Sequence, residues 1–349
     1  MNDILALARP EIVALKAYSH ASWDPAFERL HANELPWRAE TDRSIAGLNR
    51  YPEPHPHVLA RRLAELYGVK ATQLLPGRGS DESIDLVVRG FCRAGVDNVI
   101  ICPPTFGMYS VAARIQGAEV REVPLLREQG YALDIAGLIA ACDANTRVVF
   151  LCSPNNPTGN AMDSAAVEMV LRELAGKALV VVDEAYIEFS GDASLTAELA
   201  RFPNLVVLRT LSKAFGLAGA RVGSLIAAPE IVALLAKVIP PYSIPQLTIE
   251  AVLSTLMPPQ LAVQRERVAQ VRAERERVCA ALMAKKSLRK LWPSVTNFLL
   301  ADFADAEVAL AAARDAKLLI RDMRTVSPHS LRISVGTPEQ NDRLIRSLA

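Results

Sequence analysis

A single lysine, Lys213, lies in a turn of small residues that directly follows a buried apolar run at 205–208. A lysine amine can form an imine with an aldehyde when it is held close to the carbonyl and partly desolvated. The same segment, TLSKAFGLAGAR, contains two hydroxyl groups (Thr210 and Ser212) and a guanidinium (Arg221). Groups of this kind bind phosphate, and arginine can do so through two hydrogen bonds. The segment therefore carries side chains suited to an aldehyde with a phosphate tail.

Polar or aromatic side chains also follow three other apolar runs of the chain. They are Phe106 after the run NVIIC, Asn156 after RVVFLC, and Asp183 and Tyr186 after ALVVV. In open parallel sheets, ligands collect beyond the carboxyl ends of the strands, so we expect these groups to lie close together. An aromatic ring can stack on a flat ligand, an amide or phenol can bond to a ring oxygen, and a carboxylate can hold a protonated ring nitrogen.

A second phosphate-binding element is the turn Gly79-Ser80-Asp81, which precedes a helical pattern and offers backbone N–H groups at a helix start. We predict Ser80 as the N-cap of this helix. Taken singly, each feature has an ordinary structural explanation: a surface lysine, a packed aromatic, an Asx turn, a helix cap. Together they describe one ligand, pyridoxal 5'-phosphate, whose ring withdraws electrons from a bound substrate. Lys213, once released by the substrate amine, would act as the general acid and base.

These side chains must be positioned by strands and helices, whose sequence patterns alternate regularly along the chain. The strand patterns lie at 98–102, 119–123, 147–152, 178–182 and 205–209, with helical segments such as 108–116, 134–142 and 163–175 between them. Several runs are apolar on both faces, as expected for strands covered by helices on both sides. The pattern predicts an α/β fold with a mainly parallel sheet between helix layers and right-handed crossovers.

The ends of the chain have a different character. We expect an amphipathic helix up to about residue 17 and then an irregular, Pro-rich arm that lies across another surface. After Pro240-Pro241 come a long charged helix near 259–285, strand patterns near 297–300, 318–321 and 331–335, and helical patterns near 305–317 and after Thr337-Pro338. We therefore divide the chain into an N-terminal arm with part of the small domain (1–45), a large domain (46–240) and a small α+β domain (241–349).

Composition limits the classes of function. The 349 residues are 51% hydrophobic and 22% charged, with a net charge of +1, so no electrostatic signal favours nucleic acid or a membrane surface. Five scattered cysteines without CxxC spacing predict free thiols and a cytoplasmic protein. No apolar run approaches the roughly 20 residues that span a bilayer. We expect no metal site, since His55 and His57 lie in a Pro-rich turn.

Longer motifs carry a resemblance to the fold-type I, class II pyridoxal-phosphate-dependent aminotransferases, and within them to the histidinol-phosphate branch. The blocks NNPTG, DEAY and SKAFGLAG are typical of the superfamily, whereas RYPEP, PPTFGMY and DEAYIEF resemble the branch more specifically. Further similar blocks along nearly the whole chain are HANELP (31–36), GRGSDES (77–83) and LRISVGTPE (331–339).

The resemblance implies roles for individual residues. Lys213 would form the Schiff base, and Asp183 and Tyr186 would complete the catalytic set. The implied cofactor contacts are Asp183 to the pyridinium, Asn156 and Tyr186 to the ring oxygen, Phe106 to the ring face, and Ser80, Asp81, Ser212 and Arg221 to the phosphate. Tyr51 would reach the cofactor phosphate of the neighbouring subunit, which implies a homodimer with shared active sites. The implied substrate contacts are Arg332, with Arg321, Tyr18 and Asn156.

The implied reaction is the reversible transfer of an amino group between glutamate and imidazole-acetol phosphate, a step of histidine biosynthesis. Related folds leave alternatives: a decarboxylase of threonine phosphate, or an aminotransferase for aromatic amino acids. A transcription regulator that uses this fold as a sensor is disfavoured, because such proteins carry a DNA-binding module ahead of it, for which the sequence before Tyr51 leaves no room.

Overall fold

The computed structural model describes residues 4–24 and 26–348, which form a seven-stranded and a four-stranded sheet with flanking helices. The strands are β1 (Leu74–Gly77), β2 (Asn98–Ile101), β3 (Glu119–Glu122), β4 (Thr146–Cys152), β5 (Leu179–Asp183), β6 (Leu205–Thr210), β7 (Gly223–Ala227), β8 (Leu288–Leu291), β9 (Phe298–Phe303), β10 (Arg321–Asp322) and β11 (Ser330–Ser334). The five strand patterns predicted between residues 98 and 209 correspond to β2–β6.

Helices cover both faces of the large sheet and pack on the small one. They are α1 (Pro10–Val13), α2 (His57–Tyr67), α3 (Ser80–Phe91), α4 (Met108–Gln116), α5 (Ile135–Ala141), α6 (Ser164–Glu173), α7 (Ile187–Ser190), α8 (Pro229–Leu235), α9 (Gln246–Thr255), α10 (Pro258–Met283), α11 (Ala306–Asp315) and α12 (Pro338–Ser347). Among the described residues, no helix is both long enough and apolar enough to cross a bilayer.

The large sheet has the strand order β1-β7-β6-β5-β4-β2-β3. Strands β3, β2, β4, β5 and β6 run parallel, and β7 pairs antiparallel with both β6 and β1. Successive residues of the apolar strands enter different cores: Val180 and Val182 lie in one cluster, and Leu179 and Val181 in the other. This alternation explains why β5 is apolar on both faces. The predicted α/β class is confirmed.

The small sheet is antiparallel, in the order β10-β11-β9-β8. Its core consists of apolar side chains from β9 and β11 that pack against α10, α11 and α12. The hydroxyl of Thr337 accepts a hydrogen bond from the backbone N–H of Gln340 and begins α12. The division of the chain at residues 45 and 240 stays a prediction.

Three local predictions were wrong. One continuous helix was predicted up to about residue 17; residues 1–3 lie outside the described part, and the rest consists of a 3-10 helix (Ile4–Leu7) and the short α1, which ends at Val13. Its start is shaped by tertiary packing, because the N–H of Arg9 donates to the carbonyl of Gly90 in α3 at 3.0 Å. Gly79 and not Ser80 is the N-cap of α3. The strand predicted at 318–321 is limited to β10.

Candidate active site

A cavity of about 580 Å³ lies at the carboxyl ends of the parallel strands and is bordered on one side by Arg321, Met323 and Arg332 of the small sheet and its connecting turn. Twelve of the fourteen residues predicted for the site line it. They are Ser80, Asp81, Phe106, Asn156, Asp183, Tyr186, Thr210, Ser212, Lys213, Arg221, Arg321 and Arg332. The shared direction of the parallel strands brings together the residues that follow β2, β4, β5 and β6. Ser80 and Asp81 come from the start of α3, and Arg321 and Arg332 come from the small sheet.

Lys213 follows β6 by three residues and extends into the cavity, where its Nζ lies 5.6 Å from the ring centroid of Tyr186. Partial burial lowers the pKa of Lys213, and the positive charge of Arg332 lowers it further. Asp183 acts in the opposite direction on the same amine. The lysine is therefore closer to a neutral, nucleophilic amine than a surface lysine would be.

Asp183 is the last residue of β5 and is almost completely buried at the base of the cavity. Its Oδ2 accepts a hydrogen bond from the hydroxyl of Tyr109 at 2.8 Å, and its Oδ1 accepts from the backbone N–H of Ala185 at 3.1 Å. Burial raises the pKa of Asp183 to about 6, although both hydrogen bonds oppose the shift. A buried carboxylate of this kind is suited to a cationic partner, because such a partner would restore the ionised form.

The start of α3 and the turn after β6 form the opposite end of the cavity. Gly79 has φ +82°, which favours glycine, and a Cβ built on it would lie 2.7 Å from Nη2 of Arg221, so a side chain here would displace this guanidinium. Arg221 donates to Oδ2 of Asp81 at 3.0 Å and to Oγ of Ser212 at 3.4 Å. The backbone N–H groups at the start of a helix, two hydroxyls and an arginine converge here, which makes an anion site.

The small sheet contributes two arginines that lie opposite each other on neighbouring strands, Arg321 on β10 and Arg332 on β11. Within residues 4–24 and 26–348, neither guanidinium forms an ion pair with a carboxylate. Arg332 donates to Oδ1 of Asn156 and lies over the ring of Phe298, 5.3 Å from its centroid. Burial lowers the pKa of Arg332, and Arg321 lowers it further. Two unpaired cations in one half-closed cavity favour an anionic ligand.

Two predicted residues lie away from this cavity. Tyr18 and Tyr51 belong to the arm and are 72% and 52% exposed. The ring of Tyr51 stacks on Tyr242 with 4.7 Å between the centroids. Neither tyrosine lines the cavity of its own chain, so the roles predicted for them depend on contacts that one chain does not contain.

One contact of the site was missed from the sequence. Tyr109 is fully buried in α4, and its hydroxyl is bonded to Asp183. The motif PPTFGMY includes this tyrosine three residues after Phe106, but the pattern gives no indication that its hydroxyl faces the end of β5. Among the described residues, no group of three His, Cys, Asp or Glu side chains is placed to hold a metal ion.

The arrangement fits pyridoxal 5'-phosphate. The cavity has a buried carboxylate (Asp183) for a ring N–H, an amine of lowered pKa (Lys213) for an aldehyde, and an anion site for a phosphate. The glycine at position 79 keeps the anion site open. These three features correspond to the ring nitrogen, the aldehyde and the phosphate of the cofactor.

Comparison with known proteins defines the class. The family model for aminotransferases of class I and II matches residues 25–348. The chain belongs to this family, as the motifs predicted.

Particular relatives extend the comparison. The chain is 46% identical to the histidinol-phosphate aminotransferase of Stenotrophomonas maltophilia (strain R551-3), over 100% of this chain and 97% of that one. The crystal structure of histidinol-phosphate aminotransferase from Sinorhizobium meliloti in complex with pyridoxal-5'-phosphate is 26% identical with a TM-score of 0.75, covering 86% of this chain and 82% of that one. An L-threonine-O-3-phosphate decarboxylase from Porphyromonas gingivalis has a TM-score of 0.72 at 24% identity, over 86% of this chain and 90% of that one, and shares the fold.

Proposed function

We propose that this enzyme catalyses the reversible reaction of L-histidinol phosphate with 2-oxoglutarate, giving imidazole-acetol phosphate and L-glutamate, with pyridoxal 5'-phosphate as cofactor. The observation that carries the proposal is the pair of arginines without carboxylate partners, Arg321 and Arg332, in the same cavity as Lys213 and Asp183. The full-length likeness to histidinol-phosphate aminotransferases supports it. Both substrates are anions, so one cationic pocket can serve both half-reactions in turn.

In this proposal the cofactor is held by residues of five strand exits and helix starts. Asp183 accepts the ring N–H, Asn156 and Tyr186 bond to the ring oxygen, and Phe106 covers the ring face. The phosphate contacts are Ser80, Asp81, Thr210, Ser212 and Arg221. When bound, pyridoxal phosphate supplies an aldehyde that exchanges one amine for another and a ring that stabilises negative charge on the substrate carbon.

Lys213 has two tasks. Its amine holds the cofactor before substrate arrives, and afterwards it takes the proton from the carbon that carries the substrate's amino group. A lowered pKa suits both tasks, because a neutral amine is both the nucleophile and the base. Arg332 binds the phosphate of histidinol phosphate in one half-reaction and a carboxylate of glutamate in the other, and Arg321 adds charge at the mouth of the pocket.

The test is a half-reaction titration of the purified holoenzyme with L-histidinol phosphate in the absence of any keto acid. We expect stoichiometric loss of the cofactor's aldehyde-form absorbance, and recovery of that absorbance when 2-oxoglutarate is added. Carbon dioxide release from threonine phosphate without a keto-acid requirement would instead establish the decarboxylase. A higher kcat/KM for phenylalanine than for histidinol phosphate would establish the aromatic aminotransferase.

We also propose a homodimer in which Tyr51 of each subunit reaches the partner's cofactor phosphate. The support is the apolar surface of the arm, where Leu30, Leu35, Trp37 and Ile45 are 94%, 64%, 73% and 83% exposed. Several large apolar side chains exposed on one segment are typical of an interface. Mixing inactive Lys213→Ala and Tyr51→Ala proteins tests the shared site. A mixed dimer has one site with both native residues, so activity should reappear; no recovery from proven mixed dimers would exclude sharing.

Two further proposals concern the cellular compartment of the protein and the relative movement of its parts. We propose that the protein works in the cytoplasm, because all five cysteines are free thiols and fit a reducing compartment. We also propose that residues 241–349, with part of 1–45, move as a small domain against residues 46–240.

A further inference from the structure

We propose that Tyr109 is a positioning residue for the reaction, holding the carboxylate of Asp183 ionised and oriented toward the cofactor's ring nitrogen. The inference rests on the proposed cofactor but not on the identity of the amino substrate. Tyr109 has no place among the predicted cofactor contacts, since its neighbour Phe106 is the residue expected to cover the ring.

The ring of Tyr109 is held rigidly. It is fully buried at the start of α4 and stacks on Phe150 of β4, with 4.8 Å between the centroids and an interplanar angle of 3°. Phe106 contacts it edge to face at 5.7 Å. Because two aromatic neighbours restrict the ring, the position of its hydroxyl is determined by packing.

Each of the two carboxylate oxygens of Asp183 accepts one hydrogen bond, one from this hydroxyl and one from a backbone amide. Tyr109 donates to Oδ2 of Asp183 at 2.8 Å, and Ala185 donates to Oδ1 at 3.1 Å. Burial and the negative charge of Asp183 raise the pKa of Tyr109 well above its usual value, so the phenol stays protonated and keeps donating. A hydrogen bond from a neutral donor stabilises the ionised form of the acceptor carboxylate.

The other ionisable groups around this carboxylate lie on separate elements. Cys152 ends β4, Asp81 lies in α3, and Lys213 follows β6. Burial raises the pKa of the Cys152 thiol to about 12, so this group stays neutral near pH 7. Asp81 disfavours and Lys213 favours the ionised form of Asp183. The Tyr109 hydroxyl is thus the only side-chain hydrogen-bond donor to Asp183 in the described part of the chain.

Removal of the hydroxyl should therefore act mainly through Asp183 on the ring nitrogen. In Tyr109→Phe the ring packing is retained, and Asp183 loses one of its two hydrogen bonds. Because the hydrogen bond stabilises the anion, its loss raises the pKa of Asp183 still further, and the carboxylate is protonated at a higher pH. With the pKa of Asp183 at about 6 and a further rise of about one unit, we expect apoprotein of this variant to bind pyridoxal phosphate about tenfold more weakly at pH 5 and about twofold more weakly at pH 7.

The experiment measures cofactor affinity of the full-length apoprotein by calorimetric or fluorescence titration, as a function of pH. Two ligands are compared: pyridoxal phosphate and its 1-deaza analogue, which has carbon in place of the ring nitrogen. The matched control is Tyr131→Phe, the same change at a buried tyrosine whose hydroxyl has no hydrogen-bond partner in the structure.

The expected result is a selective loss. At pH 5, Tyr109→Phe should weaken the binding of pyridoxal phosphate about tenfold, and the acid limb of its affinity profile should move up by about one pH unit, while the deaza analogue binds within about twofold of wild type at every pH. Tyr131→Phe should change neither. An equal loss for both ligands, or an unmoved acid limb, would mean that Tyr109 only packs. These titrations use no amino substrate, so they separate this inference from the proposed reaction, which fails if histidinol phosphate does not convert the wild-type holoenzyme.

Discussion

The substitution Arg332→Ala tests the proposed anion pocket most directly. Arg332 is half buried, has no carboxylate partner among the described residues, and is held by Asn156 over the ring of Phe298. The substitution should leave the fold intact, because it removes an uncompensated charge from a partly buried position. Its effect should therefore be confined to ligands.

The expected loss of binding free energy follows from the hydrogen bonds that Arg332 would make to an anionic substrate. Charge-assisted hydrogen bonds contribute about 1.5–3 kcal/mol each, and an arginine can form two to a phosphate or carboxylate. Since Arg321 remains nearby and the cavity is open to solvent, we take a net loss of about 3–4 kcal/mol. This corresponds to a fall of about 10²- to 10³-fold in kcat/KM. Arg332→Lys, which retains the charge but not the planar fork, should recover only part of the loss.

The assay is steady-state kinetics of both half-reactions, with L-histidinol phosphate and with L-glutamate. The control variant is Arg324→Ala, two residues after β10. That arginine pairs with Asp322 at 2.7 Å and Glu307 at 2.8 Å and lies outside the cavity, so its loss should change kcat/KM less than about twofold. Unchanged KM values for both substrates in Arg332→Ala would refute the assignment and move the anion site elsewhere.

Three other perturbations test different parts of the molecule. Lys213→Ala should abolish turnover and borohydride-stable attachment of the cofactor, and peptide mapping of the wild type should find the label on Lys213; a normal rate in the variant would contradict this role. Because burial raises the pKa of Asp183 to about 6, the affinity of the apoprotein for pyridoxal phosphate should fall as pH decreases through about 6, as the carboxylate gains a proton. Asp183→Asn should bind weakly without that pH dependence, and a persistent acid limb would assign it to another group. Arg209→Met should cost about 3–5 kcal/mol in urea unfolding, since it leaves the buried carboxylate of Glu184 and the partly buried carboxylate of Glu188 without their cation, and a loss under about 1 kcal/mol would show that these ion pairs are dispensable.

Much of the fold could be predicted because its signals are local. The parallel strands are continuous apolar runs, and the residues after them are polar groups that a sheet edge collects. The strands β1 and β7 were not predicted. The sequence LLPG of β1 contains a proline, which is unusual in a strand, and β7 is recognised only by its antiparallel pairing with β6 and β1.

The sequence by itself determined the family, the strand ends and the residue types around Lys213, because hydrophobic period and turn chemistry act over a few neighbouring residues. Only the tertiary structure decided which buried polar groups are partners. Tyr109 and Asp183 are 74 residues apart, Asn156 and Arg332 are 176 apart, and Arg321 faces Arg332 only through the pairing of two strands. A side chain's local sequence specifies whether it is buried, but its hydrogen-bond partner depends on which distant element packs against it.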